Sequence, residues 1–348
     1  MADLTAACML AAAVFVIRFP EPVRRDYESA VHAVPSGFTS AIASWNIESP
    51  PAGWVDVGMR ARIGQRWTAW FDMGEWSPDL SGGHRRSRNG QHDADGRVDT
   101  DTLVLAQTAN AVQLRVIMHS PPGGEAPSLR LLAVTTDTDT HRSVSQGDAR
   151  RSTAWGMDLP VPERTQRIGS EGGRYGGGGD SWCSPASISM VMAYWARKSG
   201  NPDWDVDVAD AAAGTYDPAY DGCGNWPFNV AFASQHGLEG WVARLPSLAD
   251  LERYIADGVP VVASIRVGPG DLDGAPYPKT AGHLLVVRGF TSRGDVIVND
   301  PYAQAGSIRR IYDRKQFERV WQGGSHGAVY LIAPSGRLPA AQSSAESD

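Results

Sequence analysis

Cysteine is scarce in this sequence: Cys8, Cys183 and Cys223 are the only three among 348 residues. An odd number without paired spacing argues against a disulfide scaffold, and no Cys or His cluster has the spacing of a zinc site. No run of about twenty apolar residues is present, so no membrane-spanning helix is expected. A Gly-Lys-Ser/Thr phosphate loop is missing too, and with it any ATP-binding motif. The glycine-rich stretch 172–179 lacks the lysine and the preceding strand that nucleotide binding needs, and reads as a loop that can move over a cleft. Positive charge is in deficit: a net charge of −7 gives no electrostatic reason to bind nucleic acid or an anionic membrane. No cofactor is implied. With 42% hydrophobic and 20% charged residues, the chain can bury a core in each of two domains.

What is present centres on Cys183. After Asp180-Ser181-Trp182-Cys183-Ser184-Pro185, the residues Ile188, Val191, Met192 and Trp195 recur at the spacing of one buried helix face, and Pro185 suits the first turn. Cys183 therefore stands at a helix N-terminus, where unpaired N–H groups and the helix dipole favour an anion and hence a thiolate. An isolated cysteine beside apolar residues is equally a small buried hydrophobe. A Cys183–Cys223 disulfide would make both residues structural.

Its company changes the reading. Residues 282–290 and 295–300 read as two strands, and Thr291-Ser292-Arg293-Gly294 between them reads as a turn, so an antiparallel hairpin is expected. His283 and Asp300 then meet at its open end. An even-numbered loop puts both side chains on one face, whereas an odd loop or a bulge puts them on opposite faces. Together with Cys183 they supply a nucleophile, a general base and acid, and an orienting carboxylate. His326, in a glycine-rich loop, is the rival base, and His236, before Gly237, suits a helix cap.

Trp182-Cys183-Ser184-Pro185-Ala186-Ser187, then Gly282-His283-Leu284 leading to Gly289-Phe290, then Val298-Asn299-Asp300-Pro301, resemble the bacteriocin-processing cysteine peptidases of the papain-like superfamily. The chain is most similar to their stand-alone actinobacterial branch, over about residues 160–334. The resemblance implies Cys183 as nucleophile, His283 as base and acid, and Asp300 as orienting residue. It also implies a glutamine whose amide binds the oxyanion, and Gln166 is nominated, although a glycine-rich stretch separates it from Cys183 more widely than the family pattern does. In segment 220–228, Trp226 and Asn225, with Trp182 beside the nucleophile, are the expected substrate-binding residues. Ordinary helix entry and core packing is the competing reading. Unlike transporter-fused relatives, the chain carries no transporter, so cleavage of double-glycine leaders does not carry over.

Between and after these motifs, Asn225, Ser247 and Asp313 read as helix caps, while 259–265, 308–312 and 328–332 read as strands. The expected fold class is α+β: a papain-like cysteine peptidase domain, with helices packed on an antiparallel sheet, preceded by an all-β sandwich-like domain. Alternating apolar residues from Val55 to Ile63, and within 67–73, 112–118 and 129–135, carry the all-β part. Trp45, Trp54, Trp67, Trp70 and Trp76 are candidates for core or for a sugar- or peptide-stacking surface. Arg85, Arg86 and Arg88 read as a solvated loop. The expected divisions are 1–37 as an N-terminal strand or leader, 38–140 as the all-β domain, 141–159 as linker, 160–336 as the peptidase domain and 337–348 as a disordered tail. Residues 6–17 are apolar enough for the core of a signal peptide, though no basic residue precedes them, so a cytoplasmic and an exported chain both stay open. The expected function is a thiol-dependent peptidase acting on a peptide or protein. A peptide- or glycan-binding protein on the same fold, or a thiol acyltransferase, is the alternative.

Overall fold

The structure is a computed structural model that describes residues 12–138, 152–168 and 174–338. Cys8, Gly172, Gly173, the start of the apolar stretch 6–17 and most of the tail lie outside these residues. Among the described residues, no helix is long and apolar enough to cross a membrane.

The first part is all β: β1 (Ala12–Val23), β2 (Tyr27–Glu28), β3 (His32–Glu48), β4 (Trp54–Ile63), β5 (Arg66–Trp67), β6 (Phe71–Trp76), β7 (Gly96–Asp99), β8 (Thr102–His119) and β9 (Ser128–Asp137). All nine join one hydrogen-bonded sheet with the main order β1-β9-β3-β8-β4-β5. Each of the long strands β3 and β8 serves several neighbours, and shifts of register mark the irregularities at which their pairing changes. Segment 13–19, whose strand reading competed with a leader, lies in β1 and pairs with β9.

The second part is α+β, with α1 (Cys183–Ser199), α2 (Val208–Thr215), α3 (Trp226–Gln235), β10 (Glu239–Arg244), α4 (Leu248–Ala256), β11 (Val261–Val267), β12 (Thr280–Phe290), β13 (Val296–Asn299), β14 (Arg309–Tyr312), α5 (Arg314–Ser325) and β15 (Ala328–Ala333). The six strands form an antiparallel sheet in the order β10-β15-β11-β12-β13-β14. The expected caps are in place: the side chains of Asn225, Ser247 and Asp313 accept the N–H groups of Phe228, Asp250 and Gln316. Helix α1 is buried through most of its length, from Ser184 to Ala196. Ser187 donates to the carbonyl of Leu284 on β12, and the Trp195 indole donates to the carbonyl of Ile332 on β15, which fixes the helix across the sheet. α2 and β10 have no counterpart in the sequence reading, since eight and six residues carry too little periodicity to stand out.

Residues 152–159, read as linker, run along β12 instead. Leu159 donates its N–H to Arg288, Phe290 donates to Met157, and the Trp155 indole donates to Glu252.

The two parts share one apolar core. Trp45 and Trp76 are fully buried, with ring centroids 6.1 and 5.3 Å from that of Phe228 on α3. The other tryptophans do not form an open stacking surface. The imidazoles of His84 and His119 stack on Trp54, and Arg60 lies 4.8 Å from the Trp67 ring and 4.5 Å from the Trp70 ring. Arg85 is no solvated side chain. It is buried and donates to the carbonyls of Ala213 and Gly214 at the end of α2, while Arg86 and Arg88 pair with Glu75.

Candidate active site

The hairpin that carries His283 and Asp300 reaches the expected geometry by an unexpected route. Phe290 pairs with Val296, which leaves an odd loop of five residues, 291–295, and such a loop alone would point the two side chains to opposite faces. The register then shifts by one between Val287 and Gly289, so that Val287 pairs with Val298 and Val286 with Asn299. This bulge at Arg288 cancels the odd loop and returns residues 283 and 300 to one face. Arg288 anchors the bulge through Asp158 at 2.6 Å, Asn299 at 3.0 Å and the Val161 carbonyl at 3.2 Å.

His283 Nε2 then lies 2.8 Å from Asp300 Oδ1. The same imidazole neighbours the Cys183 thiol, closely enough that each group shifts the pKa of the other. Asp300 is fully buried and richly bonded: Tyr312 and Tyr277 donate their hydroxyls to Oδ2 at 2.8 and 3.0 Å, and the Tyr302 N–H donates to Oδ1 at 3.1 Å. Burial pushes its carboxyl up, but the charge and hydrogen bond of His283 and the two phenols outweigh this and hold it below the usual carboxylate range. For His283, burial disfavours the charged form. Asp300 and Cys183 reverse the balance and raise it to about 10. Burial likewise works against a thiolate at Cys183, yet the hydrogen bond and charge of His283, with the N–H groups of Leu284 and Ser184, lower its pKa overall.

Tyr277 and Tyr312 escaped the sequence reading because nothing in their local sequence ties them to residue 300. The ring of Tyr277 also packs edge-on against His283, 4.9 Å between centroids.

Gln166 reaches the site but its amide is engaged. Its backbone N–H donates to Pro301 at 2.8 Å, while Nε2 donates to the carbonyls of Gly179 and Asp180 at 2.8 and 3.0 Å. The described glycines of the loop are packed close to their neighbours. A Cβ on Gly179 would come within 2.6 Å of the Gln166 carbonyl, and one on Gly176, at φ +77°, within 2.5 Å of Asp221.

Of the three expected substrate-binding residues, Trp226 lines the cleft and is half-buried. Trp182 is fully buried, its indole donating to Tyr175 and its ring clustered with Val208, Ala212 and Cys223, so it packs the loop to the body of the domain. Asn225 is also buried, spent on capping α3 and on Asp217. Cys183 and Cys223 are both free thiols, so they form no disulfide with each other. Burial raises Cys223 to about 12. His236 caps α3 as expected. His326 bonds Asp137 at 2.9 Å, whereas it is His283 whose charge acts on the Cys183 thiol. Among the described residues, no group of three or more His, Cys, Asp or Glu could hold a metal ion.

The cleft over Cys183 has a volume of about 730 Å³. A thiol at a helix start, beside an imidazole that is backed by a buried carboxylate, has the parts for nucleophilic attack and proton return on an acyl compound.

Comparison with known proteins gives the family of each part of the chain. The family described as the Peptidase C39 N-terminal domain matches residues 25–137, and the Peptidase C39-like family matches residues 159–329. The chain belongs to the C39-like peptidases. Its second part has the cysteine peptidase fold of that family. Among solved structures, a protein described as a C39-like peptidase from Bacillus anthracis is similar at 14% identity and a TM-score of 0.36, over 51% of this chain and 98% of that one. A structure of infectious bursal disease virus, Gt strain, is similar at 12% identity and a TM-score of 0.23, over 37% of this chain and 33% of that one. No curated protein matches the chain.

Proposed function

We propose that the protein is a thiol-dependent peptidase acting on a peptide or protein. The observation that carries this reading is the meeting of Cys183, at the start of α1, with His283 on the wall of one cleft, His283 being bonded to the buried Asp300 at 2.8 Å. Cys183 attacks the scissile carbonyl, and the imidazolium of His283 gives its proton to the leaving amine. The resulting thioester is cleaved by water, with His283 now taking the water proton. Asp300 holds the imidazole in orientation and stabilises its charged form. Because the Gln166 amide is engaged by loop carbonyls, the oxyanion is received by the N–H groups at the start of α1. Trp226 is the proposed contact for substrate side chains.

A digest of a proteome-derived peptide library tests this directly. The wild type is expected to cut it and Cys183→Ala to leave it intact. A wild type that cuts nothing, or a Cys183→Ala variant that cuts equally well, overturns the reading.

A further inference from the structure

The two walls of the cleft differ in charge. Asp180 and Asp221 line it from the side of the glycine-rich turn and α3, whereas Arg244, Arg266, Lys279 and His326 line it from the sheet side. This concentration of basic groups occurs in a chain whose net charge is −7. Arg266 follows Ile265, which pairs with His283, and Lys279 precedes Thr280, which pairs with Val267, so both cations are carried by the stretches of β11 and β12 next to His283; the Arg266 Nε donates to the Ala281 carbonyl at 3.1 Å.

Two further features make the sheet wall a built surface. His326 closes α5 in the left-handed conformation, φ 56°, between Ser325 and Gly327 in a stretch rich in glycine. Glycine would adopt that conformation without strain, so the backbone at His326 carries a cost that the imidazole's own contacts offset. Its Nδ1 lies 2.9 Å from Asp137 Oδ2, and the nine-tenths-buried Arg244 donates to the same oxygen at 3.1 Å. Asp137 is fully buried and comes from β9, in the β-rich part. Arg244 faces Asp137 and also feels the charge of Asp101, while Arg266 and Lys279 add two further cations to the wall.

We infer that the sheet wall is a subsite for a carboxylate of the substrate, beside the scissile bond, supplied by an acidic side chain or by a peptide C-terminus. The inference rests on the peptidase reading above. Guanidinium and ammonium groups make short, charge-assisted bonds to carboxylates, and a partly enclosed cleft weakens them less than open water would.

The test takes the sequence most often cut from the peptide library and remakes it as quenched-fluorescent peptides. One pair carries Glu or Gln beside the cleaved bond, and another a free or an amidated C-terminus. The wild type is expected to favour one carboxylate form about tenfold in kcat/KM, and added salt to shrink the ratio. The pair that responds identifies the source of the carboxylate. Arg266→Gln with Lys279→Gln should bring the ratio close to one. His326→Gly, which removes the imidazole from the wall, should lower the ratio as well. If neither pair is discriminated yet cleavage still depends on Cys183, the subsite is refuted and the peptidase reading stands. If no peptide is cut, both fall.

Discussion

At Cys183, burial and pairing pull in opposite directions, and pairing wins: the thiol pKa is lowered while that of His283 is raised to about 10. The charged pair therefore persists between the two values, lost on the acid side when the thiolate protonates and on the alkaline side when the imidazolium releases its proton. A limiting dose of iodoacetamide near neutral pH should label Cys183 at least about tenfold faster than Cys223, and His283→Ala should remove that advantage. Equal labelling by mass spectrometry would refute the ion pair. Tyr312 and Tyr277 act one step further out, through Asp300. Tyr312→Phe takes a donor from a buried carboxylate, costs about 1–2 kcal/mol in denaturant unfolding, and weakens the hold on His283. The acid limb of Cys183 alkylation should then move to higher pH, a change that a merely structural tyrosine would not produce. At this scale the meeting of Cys183, His283 and Asp300 was legible, because a helix start and two strand ends mark them locally. The tyrosines were not, since Tyr277 is joined to Asp300 only by the folded β12–β14 region.

The decisive element is the β12–β13 hairpin, whose function depends on two irregularities that cancel. A turn between two strands was visible in the sequence, and so was the dependence of the shared face on loop parity. The bulge was not, because its cause lies in residues 157–161, which pack against Arg288 from far along the chain. Gly289 is its local trace: a Cβ there would come within 2.1 Å of the Met157 carbonyl and 2.8 Å of the Asp158 backbone. Gly289→Ala must displace that segment or the bulge, and should cost about 1–3 kcal/mol of stability. If the bulge is what aligns His283 with Asp300, the variant also loses the rapid alkylation of Cys183. Loss of stability with unchanged alkylation would mean that the segment yields and the hairpin keeps its register. Elsewhere the caps Asn225, Ser247 and Asp313 were readable because capping is a local hydrogen bond, whereas the burial of Trp182 depends on contacts with α2 and with Cys223 that no local pattern announces.

Across the whole molecule, the β-rich part holds the cleft in shape from both sides. Asp137 reaches the sheet wall, while Ser87 donates its N–H to Asp217 and the Asp101 carboxylate accepts the N–H of Trp226 at 2.8 Å, at the first turn of α3. Asp101 is the group through which this contact becomes sensitive to pH. Burial raises it from 3.8 to about 6, against the pull of the Trp226 N–H, the Thr102 hydroxyl and the charge of Arg244. Between those values the folded protein keeps a proton that the unfolded chain has released. Its contribution to stability therefore falls as pH rises through that window, by up to about 3 kcal/mol, and is constant above it. Asp101→Asn keeps an oxygen for the Trp226 N–H but cannot ionise, so urea unfolding followed from pH 4 to 7 should lose much of this slope and show equal or greater stability at pH 7. Asp101→Ala leaves the N–H unpaired and should lower stability by about 1–3 kcal/mol at pH 7. A wild-type slope retained in Asp101→Asn would mean that the contact between the β-rich part and α3 does not titrate through this carboxylate.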